Sequence, residues 1–235
     1  MPTLSHRITT LNGDGSDGWD VFYRARRMVA AGDDVIELTI GEHDIRTDPS
    51  ILHAMHDSAL GGHTGYAMVA GTQALRERVA ARTEAQSGVP TTVDNVLITP
   101  GGQSALFAAH MATCAPGDVA AFIDPYYATY PGVVRAVSAV PRTVPTRAEA
   151  GFLPEPHALE AACDGAASLL INTPNNPTGA VYPGETLQTI ADVLCRQDMW
   201  LISDEVYDSQ VWDGDHVSPR ALPGMAERTL VVGSM

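Results

Sequence analysis

From Gly71 onward, short apolar runs alternate with longer stretches of helical spacing, and this alternation restricts the fold more than any other property of the chain. The spacing predicts a helix over 72–87, with Leu75 and Val79 on one face, and a strand over 96–99. A helix over 102–114, a strand over 119–123 and a helix over 126–137 follow. Further strands are read at 168–171, 200–202 and 229–232, with a helix over 185–197. Short apolar strands separated by helices of roughly 10–15 residues argue for βαβ units. The expected class is therefore α/β, with a mostly parallel sheet and flanking helices. In such sheets ligands bind beyond the carboxyl ends of the strands. Every motif discussed below lies just past a predicted strand.

Ahead of Gly71 the reading is looser. Residues 12–18 form a loop of Gly, Asp, Ser and Asn, and a helix is expected over 19–31. A short strand over 35–40 ends at Gly41. Residues 49–60 read as a helix with Asp48 as its cap and Pro49 in its first turn, stopped by Gly61-Gly62.

Charge and cysteine usage exclude several classes of partner. The formal net charge is −14. Such a field repels phosphate backbones and anionic lipid, so neither nucleic acid nor a membrane surface is an expected partner. The three cysteines, Cys114, Cys163 and Cys195, form no Cys-x-x-Cys pair. Reduced, buried thiols and no metal site are expected, and no disulfide. Residues 1–12 contain no apolar leader core. No apolar run approaches the roughly 20 residues of a membrane span. The cytoplasm is the expected location.

Five strand ends carry the chemistry. Thr99-Pro100-Gly101-Gly102-Gln103-Ser104 joins the first predicted strand to its helix. A Gly-Gly turn at a helix start exposes backbone N–H groups and the positive end of the helix dipole, which suits an anion. A tight turn that binds nothing has the same sequence. After the second strand comes Asp124-Pro125-Tyr126-Tyr127. Tyr127 is placed to lie over a flat heteroaromatic ring, or to fill the core. After the third comes Asn172-Thr173-Pro174-Asn175-Asn176-Pro177-Thr178-Gly179, an irregular loop in which two prolines and a glycine forbid regular structure. Asn176 would offer an amide to a ring oxygen.

The fourth strand ends in Ser203-Asp204-Glu205-Val206-Tyr207. A carboxylate deep at a strand end is costly unless it meets a cation. A pyridinium nitrogen would supply one, and Tyr207 could donate to a phenolate oxygen of the same ring. A solvated Asp-Glu pair in a loop is the alternative. The fifth strand ends in Gly233-Ser234-Met235, where Ser234 could also hold phosphate.

In this order the strings resemble the class I and II aminotransferases, the fold-type-I pyridoxal phosphate enzymes. The Asn-Asn-Pro-Thr-Gly and Ser-Asp-Glu-x-Tyr strings are the specific ones. The resemblance implies pyridoxal 5′-phosphate as cofactor, with amino acids and 2-oxo acids as substrates. It implies that Asp204 pairs with the pyridinium nitrogen, and that Asn176 and Tyr207 bond the ring's phenolic oxygen. Tyr127 would stack on the ring, and Gly102, Gln103 and Ser234 would hold the phosphate. Tyr66 matches the tyrosine that reaches the neighbouring subunit's phosphate, which implies a homodimer with shared sites. Gly41 matches the glycine near the substrate carboxylate. His43 stands where a proline is usual, and Gln103 where lysine is frequent. Residues 1–46 are expected to form an N-terminal arm and the start of a small domain, and 47–235 a partial cofactor-binding large domain. The Gly15-x-x-x-Trp19-Asp20 and Asp213-Gly214-x-His216-Val217-Ser218-Pro219 strings look like those of bacterial arginine:pyruvate aminotransferases.

One departure sets the expectation for activity. The family attaches its cofactor to a lysine in a Ser-x-Ser-Lys string, and all 14 Lys+Arg residues here are arginines. Ser234-Met235 would occupy the first two positions of that string. The expectation is an aminotransferase represented by its N-terminal part, incomplete at the C-terminus, inactive alone and poorly soluble. A C–S lyase or other eliminating relative would share these residues. A non-catalytic fragment or binding module is the reading of another class.

Overall fold

Five short segments, four of them largely apolar, pair into one sheet. They are β1 (Val119–Asp124), β2 (Val140–Pro145), β3 (Ala166–Asn172), β4 (Trp200–Asp204) and β5 (Thr229–Val232), and all neighbours run parallel in the order β2-β1-β3-β4-β5. The computed structural model describes residues 2–13, 15, 19–41 and 44–234. Eight α-helices are present among them: α1 (His6–Thr9), α2 (Asp20–Ala30), α3 (Pro49–Leu60), α4 (Gln73–Ser87), α5 (Gly102–Thr113), α6 (Tyr130–Ala136), α7 (Pro156–Cys163) and α8 (Gly184–Gln197). None is long and apolar enough to cross a membrane.

The sheet is covered on both faces, which is why its central strands read as unbroken apolar runs. Successive side chains point to opposite faces. Leu169, Ile171 and Leu201 pack with Leu159 of α7 and with Leu187, Ile190 and Leu194 of α8. Ala120, Phe122, Leu170 and Ile202 pack with Leu106 of α5 and with Tyr130, Val133 and Val134 of α6. Asp204 shares the parity of Ile202 and therefore lies on the α5/α6 face. The register pairs Asn172 with Asp204 and Asp204 with Val232, so three strands end level with one another.

The helix starts follow local chemistry. Asp48 accepts from the Ser50 N–H at 2.8 Å to cap α3, and Pro49 opens that helix. Gly101, with φ +85°, turns the chain into α5 in a conformation that only glycine adopts readily. Gly71 has φ +105°, and a Cβ there would lie 2.5 Å from Ile98 Cγ1. That contact lets segment 96–99 lie against the start of α4, tied by the Ile98 N–H to the Ala70 carbonyl at 3.0 Å.

Several elements differ from the sequence reading. Segments 35–40 and 96–99 join no ladder among the described residues, and residues 39–40 bend. Apolar alternation selects an extended backbone, but a strand also needs a partner, and Ile36 and Leu38 instead face solvent. The helix expected over 126–137 begins only at Tyr130, because Pro131 suits a first turn and residues 126–129 turn at the strand end. Strand β2 was concealed by Pro141 and Pro145, which a sheet tolerates at its edge, where β2 lies. Helix α7, opened by Pro156, was also unanticipated. The loop expected over 12–18 lies partly outside the described residues, and His43 and Met235 lie wholly outside them.

Candidate functional site

The level ends of β3, β4 and β5 bring the sequence motifs into one cluster. Asp204 closes β4 with only 5% of its surface exposed. Tyr130, at the start of α6, donates its hydroxyl to Asp204 Oδ2 at 2.7 Å. The Val206 N–H approaches Oδ1 at 3.4 Å. No cationic side chain pairs with this carboxylate among the described residues. Burial pushes its pKa above the ordinary carboxylate value, and the neighbouring Glu205 adds to the rise. The bonds from Tyr130 and Val206 oppose it. Burial, and then the Asp204 charge, hold the Tyr130 phenol far above its usual range, so it remains a neutral donor.

The irregular loop after β3 is fixed by its own amides. Asn172 donates to the Asp204 carbonyl at 2.9 Å and accepts from the Asn176 N–H at 2.7 Å. Asn175 accepts from the Thr178 N–H and hydroxyl. The Tyr182 N–H donates to the Thr173 hydroxyl at 2.9 Å. Two X-Pro bonds of this loop, Thr173-Pro174 and Asn176-Pro177, are cis, as is Asp124-Pro125 after β1. The outcome is a half-buried Asn176 whose amide donates to the Tyr207 hydroxyl at 3.2 Å.

Tyr127 stands beside this pair. Its ring meets Tyr130 edge-on at 6.0 Å, and its pKa is raised by burial and then by the nearby Tyr207 and Asp204. The head of α5 closes the other side. A Cβ on Gly102 would touch Val206 at 3.7 Å and Val232 at 3.9 Å. The N–H groups of Gly102 and Gln103 open the helix and meet no acceptor among the described residues. The Gln103 amide oxygen accepts from the Thr129 hydroxyl at 2.8 Å, which links α5 to the turn before Tyr130. Ser234 lies exposed two residues beyond Val232. An open cavity of about 550 Å³ borders Asn176 and Tyr207, and Gln210, Trp212 and Asp213 line its far side.

Six of the residues expected at the site thus adjoin one another: Gly102, Gln103, Tyr127, Asn176, Asp204 and Tyr207. Tyr66 and Gly41 do not join them. Tyr66 is fully exposed, and nothing lies within 4 Å of a Cβ on Gly41. Three partners went unread in the sequence: Tyr130, Asn172 and Glu205. Tyr130 had one available signal, its place immediately before a helix-opening proline just past a strand. Asn172 ends β3 opposite Asp204, a pairing that only the register discloses.

Comparison with known proteins gives the family. The family model "Aminotransferase class I and II" matches residues 33–235. The arginine–pyruvate transaminase AruH of Pseudomonas aeruginosa is 39% identical over 95% of this chain and 57% of its own length. The aspartate/prephenate aminotransferase of Thermus thermophilus is 37% identical over 99% of this chain and 60% of its own. The structure of the Thermus thermophilus aspartate aminotransferase with maleate superposes with a TM-score of 0.92, at 35% identity, over 99% of this chain and 60% of that one. The chain therefore spans a little under two thirds of the length of these relatives. In sequence over residues 33–235 and in backbone over nearly its whole length, the chain belongs to the class I and II aminotransferases, a pyridoxal phosphate-dependent family.

Proposed function

We propose that this chain forms the cofactor-binding portion of an aminotransferase that moves an amino group between an amino acid and a 2-oxo acid. The observation that carries the proposal is Asp204, a buried carboxylate at a strand end that meets neutral donors and, among the described residues, no cation. Such a group is costly unless a cation arrives. The residues around it fit pyridoxal phosphate: a carboxylate for the ring nitrogen, an amide–phenol pair for the ring oxygen and free N–H groups at a helix head for the phosphate. When bound, the cofactor supplies an electron sink at the substrate carbon.

The chain's own residues have separable tasks. Asp204 holds the proton on the ring nitrogen, and Tyr130 stabilises Asp204 as the anion this requires. Asn176 and Tyr207 orient the ring through its phenolic oxygen, and Tyr127 covers one face. Gly102, Gln103 and Ser234 receive the phosphate. Gly41 serves the substrate carboxylate, and Tyr66 serves the neighbouring subunit of a homodimer. The 235 residues include no lysine. Alone, therefore, they hold the cofactor without covalent attachment and do not transaminate.

Titration of the chain with pyridoxal phosphate, followed by cofactor absorbance, tests this reading. Saturable binding is expected, weakened about tenfold or more, over 1.4 kcal/mol, by Asp204→Ala. Borohydride treatment is expected to trap no lysine adduct. Binding indifferent to Asp204→Ala would refute the assignment. In the full-length protein, arginine and aspartate are the first donors to assay with pyruvate, given the activities of the relatives. Alanine formation supports transfer, whereas pyruvate released without added oxo acid marks an eliminating enzyme.

A further inference from the structure

Beside Asp204, on the same strand end, lies a second buried polar cluster that the roles above do not use. Glu205 is 4% exposed. The Ser218 hydroxyl donates to its Oε1 at 2.9 Å, and His216 Nε2–H donates to its Oε2 at 2.9 Å. The side chains of Glu205 and His216 are 5% and 8% exposed. His216 Nδ1 is buried without a partner among the described residues. The Glu205 N–H donates to the Val232 carbonyl, so the residue is anchored to the sheet by its backbone as well.

We infer that Glu205, His216 and Ser218 form a staple that fixes Tyr207 against Asn176, and that His216 is a positioning residue acting through Glu205. The two bonds cross 11 and 13 residues and close an irregular loop that carries Tyr207. Within that loop the local order is slight: the Asp208 N–H reaches the Glu205 carbonyl, and the Gln210 N–H reaches the Tyr207 carbonyl. The single bond from Asn176 to Tyr207 is long, at 3.2 Å, and does not hold a loop by itself. A second brace joins Asp208 to Arg82 and Gln86 of α4. Asp208 is 11% exposed but Arg82 is nearly half exposed, so water and salt reach that pair from the arginine side and weaken it. The Glu205 cluster is dry, where charge-assisted bonds are strong and leaving one unmade is costly. Tyr207 is therefore positioned from the Glu205 side.

The cofactor arm of the test rests on the reading proposed above, whereas the exchange arm does not. In the free chain, His216→Ala is expected to speed amide hydrogen exchange across 206–212 about tenfold or more, leaving β1 and β3 unchanged. Ser218→Ala removes one donor and should give a smaller increase in the same segment, so a His216→Ala chain that fails to fold does not end the test. His216→Gln, which keeps an N–H donor, should restore most of the protection. With pyridoxal phosphate, His216→Ala should weaken binding severalfold in the native chain and have little further effect in a Tyr207→Phe background. Unchanged exchange in both alanine variants, or binding losses that simply add, would overturn the staple. A native chain that binds no cofactor but shows the exchange pattern would refute the function proposed above and leave the staple standing.

Discussion

At the scale of single residues, the site holds one expensive group and one compensating neighbour. Asp204 has a folded pKa above the ordinary carboxylate value of 3.8. Below about pH 3.8 it is protonated in both folded and unfolded chains and costs nothing. As pH rises from there through the folded value, the unfolded chain ionises first and stability falls. Above the folded value the cost is constant. Asp204→Asn is therefore expected to raise the melting temperature of the free chain by a few degrees near neutral pH, with the gain vanishing toward pH 4. The same variant is expected to lose cofactor affinity, a trade of function against stability. Paired melting curves across this pH range, with a cofactor titration, check both halves. Tyr130→Phe should act in the opposite sense. It removes a hydrogen bond to a buried charge and should cost about 1.5–3 kcal/mol at neutral pH, less in acid. Denaturant midpoints at the two pH values measure it. Asp204, Asn176 and Tyr207 were legible in the sequence because strings ending strands are read in order. Tyr130 was not, because its role depends on a bond across 74 residues of separation.

Elements show where local pattern suffices and where it fails. Helices α3, α4, α5 and α8 lie within a residue or two of their expected bounds, since capping, proline placement and spacing are local properties. Strands β1, β3, β4 and β5 were found for a related reason, a short apolar run between turn residues. Segments 35–40 and 96–99 are similarly apolar and form no strand among the described residues, because pairing depends on residues elsewhere. Two glycines separate steric crowding from backbone strain. Gly71→Ala must push Ile98 aside and adopt φ +105°, and should destabilise the chain by about 3 kcal/mol or more. Gly101→Ala meets nothing within 4 Å, so only its backbone conformation, φ +85° with ψ 160°, is penalised, at about 1–3 kcal/mol. Urea unfolding of both variants measures the difference. Equal losses would show that the contact with Ile98 does not govern the first.

For the whole molecule, apolar side chains left outside the core point to further contacts. Val21, Val29, Ile36, Leu38, Ile51, Met55, Tyr66 and Val69 are all exposed, and α3 buries none of its residues. An exposed apolar surface of this extent marks an interaction face or an aggregation liability. The net charge of −14 works against self-association. The chain is therefore expected to bind hydrophobic dyes and to associate with rising concentration, more so at high salt where repulsion is screened. Sedimentation velocity across a salt series tests this. A monodisperse monomer without dye binding would contradict it.

The sequence by itself determined the α/β class, most helix bounds and the identity of the residues beyond each strand, because period, capping and turn chemistry act over a few neighbours. It also determined that no lysine is available within these 235 residues. Only the tertiary structure decided that β2 closes one edge of the sheet and that Asp204 lies level with Asn172 and Val232. It alone showed that Tyr130, Glu205 and His216 support that end of the sheet. These are matters of register and long-range contact, set by how two layers of helices pack on a twisted sheet. No short window of sequence contains both Tyr130 and Asp204, which lie 74 residues apart.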